Sequence, residues 1–386
     1  MKSKENFEAL VQKIKSQSDF QAPLAFGLGI RRSREKQTLD VTFPVLNFKS
    51  NENTAAILTD VLSIACGKNS FVEVPKNKLT QIYDCFEPFF SEINHHPNVA
   101  LMQQLLKYSR SQTKYAHSDV IAYFLYDKDS PVQTIEDVYF KLHCTSQRHI
   151  KPRKICLDNI FSVLPNLAWT SKGPILPKDL QEERIKSLFE EPLVVSHIDK
   201  FPYLVNYHCP SGARIASGSQ VRLGAYLGEG TTVMPAGYVN FNSCIEGNAM
   251  IEGRISSKVE VAKNTDIGGG ASVMGVLSGG NEEPISIGEK CLLGANSGTG
   301  ISLGFGCTVA AGTYVTAGSK ISLYNQNNEP VDQNGKIVFE GKNIVKGQDL
   351  SGREKLLFLQ DSLTGKLICK PNPKTIELNT ELHAKQ

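Results

Sequence analysis

The 386-residue sequence lacks the features that mark membrane, secreted and nucleic-acid-binding proteins. No stretch reaches the roughly 18 apolar residues of a membrane-spanning helix, and the charged, amphipathic N-terminus has no apolar core of signal-peptide length. The 42 Lys and Arg residues nearly balance the 39 Asp and Glu residues, and no long basic run occurs, so nothing favours a nucleic-acid partner. We therefore expect a cytoplasmic protein with no membrane segment.

The sequence also lacks the clustered ligands that mark a metal site and the paired cysteines that mark a disulfide framework. The nine cysteines are scattered and none forms a Cys-x-x-Cys pair, which argues against a disulfide framework and a cysteine zinc site and favours reduced thiols. Two histidine pairs, His95 with His96 and His143 with His149, have no cluster of other ligands near them in the sequence. We interpret these histidines as surface or packing residues.

Residues 1–204 have the mixed pattern of an α/β domain. Apolar residues at helical spacing occur over residues 7–14 and 98–108, while residues 39–43 alternate as in a strand. The apolar run over residues 119–126 also favours a strand. The sequence of this domain does not indicate what it contributes to function.

A different pattern covers residues 205–322, where helical periodicity disappears, glycine becomes dense and an aliphatic residue recurs at every sixth position. A period of six fits neither a helix nor a simple strand, and it predicts a left-handed parallel β-helix in which each flat side of the coil uses six residues. One aliphatic side chain on each side then points inward and stacks on its counterpart one coil later. The seventeen residues on this repeat are Ile215, Val221, Leu227, Val233, Val239, Ile245, Ile251, Ile255, Val261, Ile267, Val273, Ile287, Leu293, Leu303, Val309, Val315 and Ile321.

The six-residue repeat is not continuous. It slips between Ile251 and Ile255, and it stops over residues 275–286, a polar, glycine-rich segment with Pro284 that is predicted to protrude as a loop. Small residues are expected at the corners of the coil because glycine lets the backbone turn without a Cβ clash. These corner glycines are Gly218, Gly224, Gly230, Gly268, Gly306, Gly312 and Gly318.

The repeat is lost after residue 322, and residues 323–386 are predicted to form a small β cap over the open end of the coil. Strands are expected over residues 336–339 and 355–359, with a hairpin over residues 363–369. The predicted fold class is therefore mainly β: a left-handed parallel β-helix with an N-terminal α/β domain and a small C-terminal β cap.

One apparent catalytic motif is set aside. Residues 300–304 satisfy the serine-hydrolase pattern G-x-S-x-G, but that chemistry needs a strand–turn–helix elbow, and no helix is predicted to follow. Leu303 lies on the six-residue repeat, so Ser302 is interpreted as an ordinary residue of the coil.

Hexapeptide coils often carry acyl transfer from coenzyme A or acyl carrier protein, usually with a histidine base. No histidine lies between His208 and His383, so a carboxylate is expected to remove the proton instead. Arg254 is expected on the same side of a strand as Glu252, where it would hold a substrate carboxylate or lower the pKa of the glutamate. A solvated Glu–Arg pair is the alternative. The coil carboxylates considered are Glu229, Glu246, Glu252, Glu260 and Asp266.

Several longer strings of residues carry a specific resemblance. They are VRLGAYLGEGTTVMPAGYVNFN (221–242), IEGRIS (251–256), GGGASVMGVLSGG (268–280), ISIGEKCLLGANSGTGISLG (285–304), YVTAG (314–318), IVKGQDLSG (344–352) and LLFLQDS (356–362). Through these strings the chain resembles the 2,3,4,5-tetrahydropyridine-2,6-dicarboxylate (tetrahydrodipicolinate) N-succinyltransferase family, in its branch with a longer N-terminus. The resemblance is weaker over the first 200 residues.

The resemblance implies an acyltransferase of lysine and diaminopimelate biosynthesis. Such an enzyme moves a succinyl group from succinyl-CoA to the amine of ring-opened tetrahydrodipicolinate, with succinyl-CoA as a co-substrate and no permanently bound cofactor. The resemblance also implies a homotrimer whose active sites lie between subunits.

The residues of this sequence that match the family's functional positions follow from the same resemblance. Glu252 matches the catalytic glutamate, which acts as a base or forms an acyl-anhydride. Lys346 is suited to pair with the phosphates of coenzyme A, and Arg222 is our choice for a further arginine that binds a substrate carboxylate. The matching contact positions are Arg254, Gly269, Ser272, Ala295, Ala310, Ala311, Gly318, Lys346, Leu359, Gln360, Asp361 and Ser362.

No metal site is expected. Some relatives hold a magnesium ion on the trimer axis with acidic residues, but the corresponding positions here are Ser219 and Ala236. Neither side chain supplies a carboxylate ligand.

Two other classes of function are considered. One is another hexapeptide-repeat acyl-CoA transferase that acts on a different small amine, and the histidine-free coil argues against those that use a histidine base. The other is a non-catalytic assembly protein or a protein like the γ-carbonic anhydrases. The latter needs a three-histidine zinc site, which a histidine-free coil does not supply.

Overall fold

The computed structural model of the protein describes residues 3–90, 96–108, 115–276 and 283–374. The chain divides into two compact units. Residues 1–144 and 154–202 form the first unit, and residues 145–153 and 203–386 form the second. Within the described ranges, no helix is both long enough and apolar enough to cross a membrane.

Five strands form the main sheet of the first unit: β1 (Ala25–Arg34), β2 (Gln37–Thr42), β3 (Asn47–Phe48), β4 (Ser70–Glu73) and β5 (His117–Leu125). All pairings are antiparallel, with β1 between β2 and β5 and with β4 next to β5. The strands predicted around residues 39–43 and 119–126 are therefore confirmed. A smaller antiparallel sheet contains β6 (Leu167–Thr170), β7 (Gly173–Ile175) and β8 (Val195–Asp199).

Helices α1 to α4 supply side chains to the main core of the first unit. In α1, the Ser3 hydroxyl accepts a hydrogen bond from Asn6 N at 3.2 Å, and Phe7, Val11 and Ile14 are buried. These are the residues whose spacing predicted the helix. The α-helices are α1 (Lys4–Lys15), α2 (Glu52–Leu62), α3 (Lys76–Cys85), α4 (Pro97–Tyr108), α5 (Ile135–Ser146), α6 (Ile160–Val163) and α7 (Leu180–Ser187).

His143 of α5 is a packing residue, as expected. Its side chain is fully buried, Nδ1 lies 2.8 Å from the carbonyl oxygen of Tyr139, and Nε2 accepts a hydrogen bond from Phe43 N at 3.4 Å. Nδ1 therefore carries the proton. His96 lies immediately before α4, and burial lowers its pKa, while His95 lies outside the described residues.

The second unit is a coil of two-residue strands that pair in parallel with the strands of the coils above and below, and this confirms the predicted parallel β-helix. The first face contains β9 (Arg214–Ile215), β11 (Thr232–Val233), β14 (Met250–Ile251), β17 (Asp266–Ile267), β20 (Leu292–Leu293) and β22 (Thr308–Val309). The second face contains β12 (Tyr238–Val239), β15 (Arg254–Ile255), β18 (Ser272–Val273), β21 (Gly298–Thr299) and β23 (Tyr314–Val315). The third face contains β10 (Tyr226–Leu227), β13 (Cys244–Ile245), β16 (Glu260–Val261) and β19 (Ser286–Ile287).

The aliphatic residues on the six-residue repeat form the core of the coil. Sixteen of the seventeen are buried, and Ile215, at the open end in β9, is half-buried. Inward stacking of these side chains removes their apolar surface from water, which is the main source of stability for such a core.

Only some of the corners that were expected to need glycine have a glycine in the left-handed backbone conformation. Gly218, Gly268 and Gly318 do not have the left-handed backbone that was expected to require glycine, while asparagine has that backbone at several corners. Asparagine tolerates this conformation because its short polar side chain can form a local hydrogen bond. The left-handed corner residues include Gly224, Gly230, Asn242, Asn264, Asn296, Gly306 and Gly312.

The C-terminal residues continue the first face and cover the end of the coil. This part contains β24 (Lys320–Leu323), β25 (Ile344–Lys346), β26 (Leu356–Gln360) and β27 (Leu367–Pro371). β26 pairs in parallel with β22 and forms an antiparallel hairpin with β27. The predicted strand over residues 336–339 is wrong, because that segment has only a single bridge, from Ile337 to Val331.

The predicted loop over residues 275–286 lies partly outside the described residues, since residues 277–282 are not described. Its two ends are neighbours: Val276 forms an antiparallel bridge with Pro284, and Ile285 N donates to Gly275 O at 3.4 Å. The chain therefore leaves the coil and returns to it at one point.

Residues 145–153 form a strap along the third face that the sequence did not indicate. The Ser146 hydroxyl accepts from Gly224 N at 2.8 Å and donates to Ala225 O at 3.2 Å. Arg148 donates to the carbonyl oxygens of Leu227 and Ser211. Further along the strap, side chains form ion pairs with glutamates of the coil, Lys151 with Glu246 and Arg153 with Glu260. The third face is therefore covered by the chain's own residues.

We expect Ile245→Ala to lower the free energy of unfolding by about 2–5 kcal/mol, because it removes three carbons from a fully buried position of β13. Urea unfolding followed by circular dichroism measures this loss. Ile337→Ala is the control, since Ile337 is 59% exposed and its replacement should cost less than about 0.5 kcal/mol. Equal losses in the two variants would contradict the aliphatic core.

Candidate active site

A short corner separates the first face from the second in one coil. Most of these corners have four residues, such as residues 268–271 between β17 and β18, but only Glu252 and Gly253 lie between β14 and β15. This missing pair of residues is the slip in the six-residue repeat between Ile251 and Ile255. Because two residues fewer span the same turn, we infer that this corner lies closer to the coil axis than the neighbouring corners and leaves a recess on the outer surface.

Gly253 is required by this close approach. A Cβ atom at Gly253 would lie 2.5 Å from the carbonyl oxygen of Ala271 and 2.7 Å from Cγ2 of Ile267. The sequence analysis did not single out Gly253, although the slip in the repeat marks its position.

Glu252 is half-buried, and its carboxylate lies beside Gly269. A Cβ atom on Gly269 would lie 3.5 Å from Oε2 of Glu252. The backbone of Glu252 is bound on both sides, since its N–H donates to Ile267 O at 2.8 Å and its carbonyl accepts from Gly270 N at 3.3 Å. Among the residues that the structure describes, none forms a hydrogen bond or ion pair with the carboxylate. The group is therefore held in place by the backbone while its oxygens remain available to a ligand.

The other coil carboxylates have different surroundings. Glu246 and Glu260 are bound by Lys151 and Arg153 of the strap on the third face. The Glu229 side chain packs against Gly212, and Asp266 lies on the first face in β17. None of the four shares the short corner with Glu252.

Arg254 is the first residue of β15, so the expectation that it shares one strand and one side with Glu252 is wrong. The corner places Glu252 at the end of the first face and Arg254 at the start of the second, and no ion pair joins them. Arg254 instead donates from Nη2 and Nε to the hydroxyl oxygen of Ser272 at 2.7 and 3.2 Å. No carboxylate pairs with Arg254 in the described part of the chain. Its remaining donors suit an anionic ligand.

Gly269, Ala295 and Ala311 occupy equivalent corners of successive coils and form a smooth strip. Their carbonyls bind the next coil, for example Asn296 N to Gly269 O and Gly312 N to Ala295 O, both at 2.9 Å. Within the described ranges, the N–H groups of Gly269, Ala295 and Ala311 have no acceptor. These donors, about 4.7–4.9 Å apart, suit an extended ligand that carries amide carbonyls.

The cap borders the far end of this strip. Ala310 N donates to Phe358 O at 2.8 Å, which brings Leu359 and Gln360 of β26 next to the corner. Asp361 and Ser362 follow in the hairpin turn. Backbone N–H groups of Thr364 and Leu363 donate to Asp361, which lowers the pKa of that carboxyl.

Lys346 adds positive charge near the same end. It pairs directly with Lys320 across β24 and β25, and both side chains are exposed. Gly318 lies beside this pair, because Gly347 N donates to Ser319 O and Gln348 N to Ala317 O. Neither lysine forms an ion pair with a described residue. Two like charges side by side favour an anion between them.

Arg222 lies near the other end of the second face. Its Nη1 donates to Asn240 Oδ1 at 3.1 Å, and its guanidinium lies 5.9 Å from the ring centroid of Tyr238. Tyr238 pairs with Arg254. The structure therefore brings Arg222 to the same face as Arg254, with Tyr238 between them.

At the positions considered for a metal, the Ser219 hydroxyl lies 3.0 Å from that of Ser217, and Ala236 has no polar side-chain atom. The described residues contain no group of three or more His, Cys, Asp or Glu side chains that could hold a metal ion.

Comparison with known proteins gives a consistent result over nearly the whole chain. Models of the tetrahydrodipicolinate N-succinyltransferase N-terminal and middle regions match residues 5–162 and 164–203, and a model of the hexapeptide repeat of succinyl-transferase matches residues 284–317. The chain is 40% identical over 362 residues to 2,3,4,5-tetrahydropyridine-2,6-dicarboxylate N-succinyltransferase of Pseudomonas aeruginosa, which covers 94% of this chain and 97% of the relative.

Proteins of other organisms give the same result. A protein with the same name from Nitratiruptor is 37% identical over 398 aligned positions that cover 99% of this chain and 100% of the relative. The crystal structure of a 2,3,4,5-tetrahydropyridine-2-carboxylate N-succinyltransferase from Campylobacter jejuni superimposes with a TM-score of 0.86 at 34% identity, covering 97% of this chain and 99% of that one.

We expect Gly253→Ala to lower the free energy of unfolding by about 1–3 kcal/mol, because the added methyl group must displace the backbone of Ala271. Gly318→Ala is the matched control, since a Cβ atom there meets nothing within 4 Å. Urea unfolding of both variants measures the difference. A Gly253→Ala protein as stable as the control would show that the short corner is not closely packed.

Proposed function

The chain belongs to the tetrahydrodipicolinate N-succinyltransferase family, and from this premise we propose that the short corner and the strip beside it form its active site. The protein is an acyltransferase of lysine and diaminopimelate biosynthesis that transfers a succinyl group to tetrahydrodipicolinate. The observation that supports this site is the pair of opposite charges, Glu252 and Arg254, at the two ends of one corner, neither of which has an ionic partner among the described residues. An acyl-CoA transferase for a different small amine finds no support in the relatives, which share one name.

Glu252 is proposed as the group that removes a proton from the amine of ring-opened tetrahydrodipicolinate. An amine is protonated at neutral pH and attacks only after it has lost a proton, which a carboxylate within hydrogen-bond distance accepts. The amine nitrogen then forms a bond to the thioester carbon, and the carbon–sulfur bond breaks as the tetrahedral intermediate collapses. The thiolate takes the proton from Glu252, and the second amine proton leaves to solvent. A route through an acyl-anhydride on Glu252 uses the same position of the carboxylate.

The oxyanion of the tetrahedral intermediate needs hydrogen-bond donors. Gly269 is proposed to supply one, because its N–H has no acceptor among the described residues and Glu252 lies against the same residue. Donors that are already oriented stabilise the developing charge without reorganisation.

Succinyl-CoA is proposed to lie along the strip formed by Gly269, Ala295 and Ala311. The free N–H groups of the strip match the amide carbonyls of the pantetheine arm, and the absence of larger side chains lets the arm lie close to the backbone. Lys346 and Lys320 are proposed to bind the phosphates.

Glu252→Gln is expected to lower kcat by roughly 10²–10⁴-fold, because the amide neither accepts the proton nor acts as a nucleophile. The KM for succinyl-CoA should change by no more than a few-fold, since the strip is unaltered. Release of free thiol from succinyl-CoA in the presence of tetrahydrodipicolinate measures both constants.

Glu246→Gln is the matched control, because Glu246 is a coil glutamate bound by Lys151 on the third face. It should retain kcat within a few-fold. Near-normal kcat in Glu252→Gln, or an equal loss in the two variants, would contradict the assignment of Glu252.

A homotrimer with active sites between subunits is proposed as the assembly. The strap already covers the third face, which leaves the first and second faces, with the recess between them, to meet neighbouring subunits. Closed rotational symmetry is the usual arrangement of such oligomers. The nine cysteines are unpaired thiols, and this supports a reducing compartment such as the cytoplasm.

Light scattering should therefore give a mass three times the 42.4 kDa of one chain. Measurement at the concentration used for the activity assay links the assembly to function. A monomer with full activity would contradict both the trimer and the shared active site.

A further inference from the structure

Five outward-facing residues form one column on the second face. They pair in register from coil to coil in the order Tyr238, Arg254, Ser272, Gly298 and Tyr314. Their inward neighbours, such as Val239 and Ile255, are buried in the core. Adjacent members of the column are about 4.7–4.9 Å apart, the spacing of paired strands.

The ring of Tyr314 lies over Gly298. A Cβ atom at Gly298 would lie 2.5 Å from both Cε atoms of the Tyr314 ring, with Cζ nearer still. The Cζ end of the Tyr314 ring therefore lies at Gly298, one coil away from the backbone of Tyr314. Glycine is needed at position 298 because any larger residue would push the ring away.

From the position of the ring over Gly298, we infer that the hydroxyl of Tyr314 lies on the Ser272 side of its ring. The bond from Cζ to the hydroxyl continues away from the backbone of Tyr314, and Ser272 is the next residue of the column beyond Gly298. Among the described residues, none forms a hydrogen bond with this hydroxyl, and the side chain of Tyr314 is 45% exposed. An exposed ring held in one position by packing has little rotational freedom left to lose when a ligand binds.

Arg254 reaches Ser272 from the opposite direction. Its Nη2 and Nε donate to the Ser272 hydroxyl at 2.7 and 3.2 Å, and Ser272 is only 6% exposed. Ser272 thus fixes the guanidinium, while the phenol of Tyr314 extends towards the same serine from the other side. A cationic donor and a neutral donor therefore approach one small residue from two sides, and among the described residues no carboxylate pairs with either of them.

We propose that Tyr314 is a specificity-determining residue whose hydroxyl donates a hydrogen bond to the same substrate carboxylate that Arg254 pairs with. This inference rests on the proposed function, in which both the succinyl group and the acceptor carry carboxylates. A site with two oriented donors rejects an analogue that lacks the carboxylate, because both donors would then lose their water without gaining a partner.

Tyr314→Phe tests the hydroxyl alone, since the ring and its packing over Gly298 are kept. Loss of one hydrogen bond to a charged group should raise the KM of the substrate that provides the carboxylate by roughly 10- to 100-fold. If the carboxylate is that of the succinyl group, the preference for succinyl-CoA over butyryl-CoA, as a ratio of kcat/KM values, should fall by the same factor. If it belongs to the acceptor, the KM of tetrahydrodipicolinate should rise and the acyl preference should not change.

Two further variants separate this role from packing. Tyr226→Phe is the control, because Tyr226 is likewise the first residue of a two-residue strand of the coil but lies in β10 of the third face, where it is half-buried. Both KM values should remain within two-fold. Gly298→Ala keeps the hydroxyl but displaces the ring, and it should reproduce the KM change of Tyr314→Phe. If Gly298→Ala does not fold, Tyr314→Phe alone decides the question.

The combination of Tyr314→Phe with Arg254→Lys tests whether the two residues hold one group. Their effects on the affected KM should be less than multiplicative, because either change already loosens the carboxylate. Unchanged KM values for both substrates in Tyr314→Phe, with normal turnover by the unaltered enzyme, would overturn this inference and leave the proposed function standing. Absence of turnover by the unaltered enzyme would instead overturn the proposed function.

Discussion

Hydrogen bonding between successive coils is the constraint on which the rest of the second unit depends. Each strand has only two residues, so no strand is stable alone, and its position is set by the coils above and below. The inward aliphatic side chains stack only in that register, and the outward residues fall into columns as a direct result. Arg254, Ser272 and Tyr314 are neighbours in space for this reason, although they are 18 and 42 positions apart in the chain.

The glutamates of the coil differ in whether a basic side chain neutralises them. On the third face, Glu246 and Glu260 are neutralised by Lys151 and Arg153 of the strap, which fixes a segment of the chain and leaves nothing for a ligand. At the short corner, Glu252 is left without an ionic partner in the described part of the chain. Partly buried charges without partners carry a cost in stability that an enzyme recovers when substrate binds. These coil glutamates therefore differ in their ionic partners rather than in their exposure.

The sequence predicted the coil and its core because one aliphatic residue in six is a direct consequence of the geometry. It also placed Glu252 at the break in the repeat, where the resemblance to a family located a catalytic residue. The expectation for Arg254 was wrong. Residues two positions apart lie on the same side only within one strand, and here a corner separates Glu252 from Arg254. The sequence did not reveal the strap or the contact of Tyr314 with Gly298, because both depend on which residues are brought together over a long separation in the chain.

The strap also has a consequence for how the second unit comes to be formed. Residues 145–153 are separated from the face they cover by residues 154–202 of the first unit and by the connection that follows. Arg153 contacts Glu260, 107 positions later in the chain. During synthesis these residues emerge long before β16 exists, so they have no partner until several coils have been added. Contacts between distant positions form late and slowly. Closure of the third face is thus a late event in folding, and until it occurs the edges of a partly built coil are open to other chains.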